Sequence, residues 1–253
     1  MNNELDKKVN EAISILTANE CAEGFSVRFS GGKDSCVLKH LINRSGCNAR
    51  YYYLETTLES DMMANFIKDK HPEVEWIHPE KSVCDLIREY KMMPTLYNRF
   101  CCKHIRRDVD SSLVDEQHCT VLGKRQTDIM LDRKSLKAVQ VKDNGHKVIN
   151  PLYNWTDADI WAYIKENSIE LPETYAIYGK SFNCALCIMY YVETKKQLAQ
   201  AHPEVVEKLK SACFDAWENN ELLHKNFPTP EKYWNWFLNY DIKIEKQRLM
   251  QQK

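Results

Sequence analysis

No stretch of this chain is apolar for long enough to span a bilayer. The first residues, Met1 to Lys8, are polar and charged, with no signal-like apolar segment behind them, so a cytoplasmic location without membrane attachment is the expectation. Charge of one sign is also missing. A formal net charge of −1 provides no global field toward nucleic acid or membrane, which leaves only a local basic patch for such a role. Internal repeats and low-complexity linkers are absent. The Walker pattern Gly-x-x-x-x-Gly-Lys-Ser/Thr is absent too. The histidines lack metal-ligand spacing; His71, His78 and His202 each precede a proline and read as turn residues.

Cysteine, by contrast, is plentiful. Ten cysteines without a secretion signal argue against a disulfide scaffold, so reduced thiols and metal ligands are expected. Most read as small buried residues, but Cys101–Cys102 and Cys184-x-x-Cys187 stand apart as two close pairs. Four thiolates can complete a tetrahedral zinc site or hold a [4Fe-4S] cluster. Adjacent cysteines point their side chains differently, which suits separate irons better than one ion, yet spacing alone leaves the two metals hard to separate.

The chain's 253 residues, 43% of them hydrophobic, allow one large domain with an appendage. Apolar periodicity predicts helices at 4–19, 34–43, 59–70, 83–90 and 157–167. Strands are expected at 25–27, 48–54, 74–77 and 120–123. In the 157–167 helix, Ile160, Trp161 and Ile164 are expected on one buried face, behind capping residues at 154–157. Helices alternating with strands predict an α/β fold, a doubly wound and mostly parallel sheet with helices on both faces. The expected organisation is an N-terminal helix over 1–20, a nucleotide-binding α/β domain over 21–180, and a helical C-terminal region over 181–253 that carries the second cysteine pair. The aromatic segment after 226 reads as a packed terminal helix, with a partner-protein surface as the alternative.

The segment Ser30-Gly31-Gly32-Lys33-Asp34-Ser35 follows the first strand and opens a helix. Two glycines let backbone N–H groups approach an anion, the serines add hydroxyl donors and Lys33 adds charge. With the helix N-terminus behind it, this is a phosphate cradle. Gly123-Lys124-Arg125 ends another strand, where a turn can aim two cations at one ligand, Arg125 bidentately. Asp34 is a candidate to orient the loop or hold Mg2+ through its oxygens. Glu55, at the end of a Tyr-rich strand, is a candidate for nucleotide or metal contact. Further basic residues, Lys103, His104, Arg106 and Arg107, surround the first cysteine pair, and Arg133 lies beyond Arg125.

Ser-Gly-Gly-Lys-Asp-Ser resembles the PP-loop of adenine nucleotide alpha hydrolases. The adjacent cysteines, the Cys-x-x-Cys about eighty residues later, Asn98 to Lys103, Asn150 to Trp161 and Tyr178 to Cys187 together resemble the iron–sulfur branch of the phosphoadenylylsulfate/adenylylsulfate reductase family. The resemblance covers roughly residues 20–190. It implies an enzyme that binds ATP or an adenylyl sulfonucleotide at Ser30–Ser35, with Glu55 and Gly123-Lys124-Arg125 facing the nucleotide and Lys33, Asp34 and Arg125 as catalytic groups. It also implies a [4Fe-4S] cluster on Cys101, Cys102, Cys184 and Cys187. Two departures qualify it. The family's Asp-Thr-Gly is Glu55-Thr56-Thr57 here. The Glu-Cys-Gly-Leu-His motif that carries the reductase nucleophile is missing from this sequence, and Cys213, the last cysteine, sits in an amphipathic helix without adjacent His or Gly. Ser-Gly-Gly-Lys-Asp-Ser is also the form common in ATP pyrophosphatases. The expected function is therefore ATP-dependent adenylylation of an acceptor (a small molecule, tRNA or DNA) with pyrophosphate release for sulfur incorporation. The alternatives are a sulfonucleotide reductase using an unconventional thiol such as Cys213, and a non-catalytic nucleotide- and cluster-binding subunit.

Overall fold

Among the described residues, six short strands and their helices place the glycine-rich turn at a break in the sheet order. The structure, a computed structural model, describes residues 3–109, 119–127, 136–142 and 145–251. The described chain divides into two compact units. The first comprises Met1–Leu54, Asp61–Ile77 and Asp110–Ser181; the second comprises Glu55–Ser60, His78–Val109 and Phe182–Lys253.

In the first unit, helix α1 (Asn3–Ala18) precedes β1 (Phe25–Arg28), α2 (Lys33–Ser45), β2 (Ala49–Leu54), α3 (Asp61–Lys70) and β3 (Glu75–Ile77). Strands β4 (Cys119–Val121), β5 (Val139–Val141) and β6 (Lys147–Ile149) follow, then the helix Asp157–Glu166. The sheet order is β3-β2-β1-β4-β6-β5. Every pairing is parallel except β5 with β6. This is the doubly wound, mostly parallel sheet that the alternation of patterns predicts. The antiparallel β5 was not anticipated: Val139 and Gln140 lie beyond the clear apolar runs, and Val141 is exposed.

Buried parallel strands read as continuous apolar runs because helices cover both faces. Tyr51, Tyr52, Tyr53 and Leu54 of β2 are all buried, as are Phe25 and Val27 of β1. Helix α2 buries Val37, Leu38, Leu41 and Ile42 against this sheet and ends at Gly46, whose φ of 74° makes the left-handed cap. The helix at 157–166 begins with a capping box: Thr156 accepts from the Asp159 N–H while Asp159 accepts from the Thr156 N–H. Its buried face is Ile160, Tyr163 and Ile164. Trp161 departs from the expectation. It is 39% exposed, because one residue on from Ile160 turns it about 100° away from the core stripe. Its indole N–H donates to Asp157 instead.

The expectation of reduced thiols also needs correction. Cys21 and Cys119 form a disulfide, with Cα atoms 6.0 Å apart. Cys21 lies just ahead of β1 and Cys119 opens β4. These strands pair with Phe25 opposite Cys119, so the sheet register itself brings the two sulfurs together. The other eight cysteines are free.

The second unit is helical. Helix α4 (Val83–Tyr90) begins with a Ser82–Asp85 capping box. The helices Val192–Ala201, Pro203–Glu218, Glu221–Asn226, Pro230–Leu238 and Ile242–Gln251 follow the second cysteine pair. Lys195 is fully buried, and its ammonium donates to the carbonyls of Phe237 (2.9 Å) and Tyr240 (2.8 Å), capping the 230–238 helix from inside. Burial lowers its pKa to about 8. The aromatic segment is packed: Tyr233, Trp234 and Phe237 are buried, and Trp236 stacks on Tyr233. No helix among the described residues is long and apolar enough to cross a membrane.

Candidate functional site

In an open α/β sheet, ligands bind beyond the carboxyl ends of the strands where the strand order reverses. Here that point lies between β1 and β4. The segment after β1 is Ser30–Ser35, and the segment after β4 is Gly123-Lys124-Arg125, so the fold brings both predicted phosphate segments to one crevice.

The turn is held by its own serines. Ser35 Oγ donates to the Gly32 carbonyl (2.8 Å), Ser30 Oγ lies 3.1 Å from Ser35 Oγ, and the Gly32 N–H donates to Ser30 Oγ (3.4 Å). Gly31 has φ 71°, and a Cβ there would stand 2.9 Å from Met63 Cε. Gly32 starts α2 with no side-chain cap, so the helix's first amides need acceptors from elsewhere, and that of Lys33 finds Tyr175 Oη. A Cβ on Gly123 would meet the Asp34 carbonyl at 3.3 Å, so glycine permits the two segments to close on each other.

Four charges interlock across this crevice. Lys33 Nζ lies 3.0 Å from Asp34 Oδ2 and 3.1 Å from Asp157 Oδ1. Arg125 Nε lies 2.7 Å from Asp34 Oδ1, and its Nη2 lies 3.3 Å from Asp157 Oδ1. Burial opposes the charge on Lys33, but Asp34 and Asp157 outweigh it and raise the ammonium pKa. Burial likewise opposes the charge on Asp157, and Lys33 and Arg125 overcome it, holding the carboxyl below the usual range. Arg125 is 5% exposed, so its guanidinium is fixed rather than solvated. A cleft of about 310 Å³ opens here, lined by Ser30, Gly32, Lys33, Asp34, Asp157 and Tyr175 among others.

Asp157, Tyr175 and Ser181 were missed as site residues. Asp157 was read only as part of a cap, but Thr156 does the capping and leaves Asp157 free to reach Lys33. Tyr175 accepts from the Lys33 N–H across 142 positions of sequence. No local pattern signals that contact. Lys124 lies beside Arg125 in the turn, and Arg133 lies outside the described residues. Glu55 belongs to the second unit, where its carboxylate pairs with His78 Nδ1 at 2.6 Å.

All four candidate metal cysteines belong to the second unit. Phe100–Cys102 form one α-helical turn that runs into a π-helix, Lys103–Asp108, bearing the basic residues. The Cys184–Cys187 turn contains Leu186 at φ 56° and is tied down by the Ala185 N–H on the Leu58 carbonyl and by Thr56 Oγ1 on the Asn183 carbonyl. The neighbouring thiols act on each other, raising the Cys101 pKa and lowering that of Cys102, the latter helped by Arg106, Arg99 and Arg107. Burial raises the pKa of both Cys184 and Cys187, the latter to about 11. Each pair lies close enough to feel the other's charge. Among the described residues, no three metal-binding side chains converge on one ion position. Cys213 is fully buried, and burial pushes its thiol up to about 12.

A family model described as the phosphoadenosine phosphosulfate reductase domain matches residues 24–189. The adenosine 5'-phosphosulfate reductase of Burkholderia cepacia is 26% identical over 196 residues, spanning 73% of this chain and 78% of the relative. The adenosine 5'-phosphosulfate reductase 2 of Bacillus subtilis is 23% identical over 167 residues, spanning 63% and 70%. Among solved structures, the phosphoadenylyl-sulfate reductase of Candida auris is similar with a TM-score of 0.53 at 15% identity, covering 70% of this chain and 92% of that one. The U34-tRNA thiolase NcsA of Methanococcus maripaludis, solved with its [4Fe-4S] cluster, gives 0.52 at 13% identity, covering 90% and 82%. At such identities these two structures speak to the fold alone.

Proposed function

Because this chain belongs to the phosphoadenosine phosphosulfate reductase domain family, we propose that it binds ATP at Ser30–Ser35 and adenylylates an acceptor, releasing pyrophosphate and making the acceptor oxygen replaceable by sulfur. It is an enzyme of the sulfonucleotide reductase or ATP pyrophosphatase type. The observation that favours ATP is the state of Cys213. A reductase of this class attacks sulfur with a thiolate, which must be exposed and activated. Cys213 is neither.

The geometry suits charge stabilisation on a leaving pyrophosphate. The amides at the start of α2 and the helix dipole face the phosphates. Lys33 and Arg125 add two cations already oriented by Asp34 and Asp157, so these two side chains need little reorganisation on binding. Mg2+ accompanying ATP would meet carboxylate oxygens here, but Asp34 is engaged on both oxygens by Arg125 and Lys33, so the ion would compete with those cations for it.

The thiols of Cys101, Cys102, Cys184 and Cys187 fit a [4Fe-4S] cluster in donor chemistry: four sulfurs in one unit, pairwise within electrostatic reach, with arginines beside Cys102. Such a cluster would supply iron–sulfur chemistry for handling the sulfur atom. The chain's own part is to hold the four thiols in place and to balance their charge through Arg99, Arg106 and Arg107. We place the protein in the cytoplasm on its eight free cysteines, the Cys21–Cys119 disulfide being the exception among the ten.

The test is pyrophosphate release from labelled ATP by anaerobically purified protein, offered small-molecule, tRNA and DNA acceptors in turn. A second reading, sulfite release from adenylylsulfate, is favoured by the curated relatives' own names. Sulfite production abolished by Cys213→Ser would establish it in place of the first.

A further inference from the structure

The first amide of α2, at the phosphate cradle, is already taken. The Lys33 N–H donates to Tyr175 Oη at 2.8 Å, and Tyr175 Oη lies 3.3 Å from Ser181 Oγ. A Cβ placed on Gly32 would come within 2.9 Å of Ser181 Oγ and 3.7 Å of Tyr175 Oη. Two hydroxyls therefore stand directly over the loop glycine, in the cleft that Ser30, Lys33 and Asp34 line. A helix-start amide is a natural donor to a phosphate oxygen, and it has one hydrogen to give. While the phenol holds it, an anion cannot make the same bond.

We infer that Tyr175, seated by Ser181, gates the phosphate loop: its hydroxyl occupies the Lys33 N–H in the free protein, and a nucleotide phosphate displaces it on binding. The inference rests on the reading of Ser30–Ser35 as the nucleotide site. The exchange favours a phosphate, because a charge-assisted bond from an amide to an oxyanion is roughly twice as strong as the neutral bond it replaces. A neutral solute, or water, gains nothing over the phenol. The gate thus keeps the loop ordered and closed to weak acceptors. The segment has the means to move. Tyr175 lies on the five-residue helix Thr174–Tyr178, which ends at Gly179 with φ 70° and open space around it. Beside the ring, Trp161 is 39% exposed and meets Tyr175 edge-on with centroids 5.5 Å apart, so the phenol has a partly solvated neighbour to turn along.

Tyr175→Phe separates the hydroxyl from the ring, since Phe keeps the packing on Trp161 but cannot accept from Lys33. Calorimetric titration of ATP, adenylylsulfate and inorganic pyrophosphate into the wild-type protein and this variant reads the effect. The variant is expected to bind about two- to tenfold more tightly, the range of one neutral hydrogen bond. Without ligand, hydrogen exchange at the Lys33 amide is expected to be faster in the variant. Unchanged or weaker binding by Tyr175→Phe overturns the gate and leaves the nucleotide site standing; weaker binding would make Tyr175 a ligand donor instead. Unchanged exchange at Lys33 overturns it as well. If wild type and variant both fail to bind all three ligands, the nucleotide reading falls and the gate falls with it.

Discussion

Arg125 Nε lies 2.7 Å from Asp34 Oδ1, joining the loop after β4 to the first turn of α2 at the point where the sheet order reverses. The pair is what turns two separate sequence segments into one candidate phosphate site. Its second contact, Arg125 Nη2 to Asp157, fixes the guanidinium plane. Lysine carries the same charge but lacks the planar fork.

Arg125→Lys is therefore expected to weaken ATP binding by about 10- to 100-fold, the range for lost hydrogen bonds between charged groups. Titration calorimetry measures this, with circular dichroism to confirm that the variant folds. Binding within about twofold of wild type would mean that Arg125 braces the sheet without serving the ligand.

The two left-handed glycines that flank α2 separate backbone strain from crowding. Gly31→Ala combines φ 71° with a Cβ 2.9 Å from Met63 Cε, whereas Gly46→Ala carries φ 74° into open space. Thermal or denaturant unfolding is expected to show a loss of about 2–4 kcal/mol at Gly31 and about 1–2 kcal/mol at Gly46.

Stability is expected to fall on mild acidification, through His71. Burial and the nearby Lys39 hold its imidazole down to about 4 from an ordinary 6.5, against a smaller upward pull from Glu73 and Glu170. Between those two values the unfolded chain binds a proton that the folded chain does not, so stability decreases as pH falls through that window. A denaturant series from about pH 7.5 to about pH 5 should show a loss on the order of 1 kcal/mol, since solvent screens the half-buried ring, and His71→Gln should remove most of it.

The cysteines divide by role. Cys102→Ala is expected to lose iron and acid-labile sulfide after anaerobic purification. Cys213→Ser is expected to keep both, while losing about 1–3 kcal/mol of stability from a hydroxyl buried without a partner. Zinc without iron in the wild-type protein would contradict the cluster assignment.

How much of this was legible in the sequence follows from the range of each interaction. Strands β1 and β2, helices α2 and α4, and a cap within 154–157 announce themselves within a few residues, through buried apolar runs, a helical stripe and capping residues. The Ser30–Ser35 turn was legible for the same reason. Asp157 was half legible: it sat in a recognised cap, but only the fold shows that Thr156 does the capping and Asp157 turns to Lys33. Tyr175 was not legible, because its bond to Lys33 spans 142 positions and leaves no periodic trace. The Cys21–Cys119 disulfide was hidden similarly. Only the register of β1 beside β4 brings residues 98 apart together. The outward turn of Trp161 was open to a stricter count of helical positions, since it follows Ile160 directly and so lies about 100° from it around the helix.

The most direct test of the central claim is a single assay run on two substrates. Anaerobically purified protein is given labelled ATP with each acceptor class in one set of tubes and adenylylsulfate with a dithiol in the other. Pyrophosphate and sulfite are then quantified together. The expected result is acceptor-dependent pyrophosphate from ATP, lost in Lys33→Ala, with no sulfite from adenylylsulfate. Sulfite from adenylylsulfate, with no pyrophosphate from ATP under any acceptor, would contradict it.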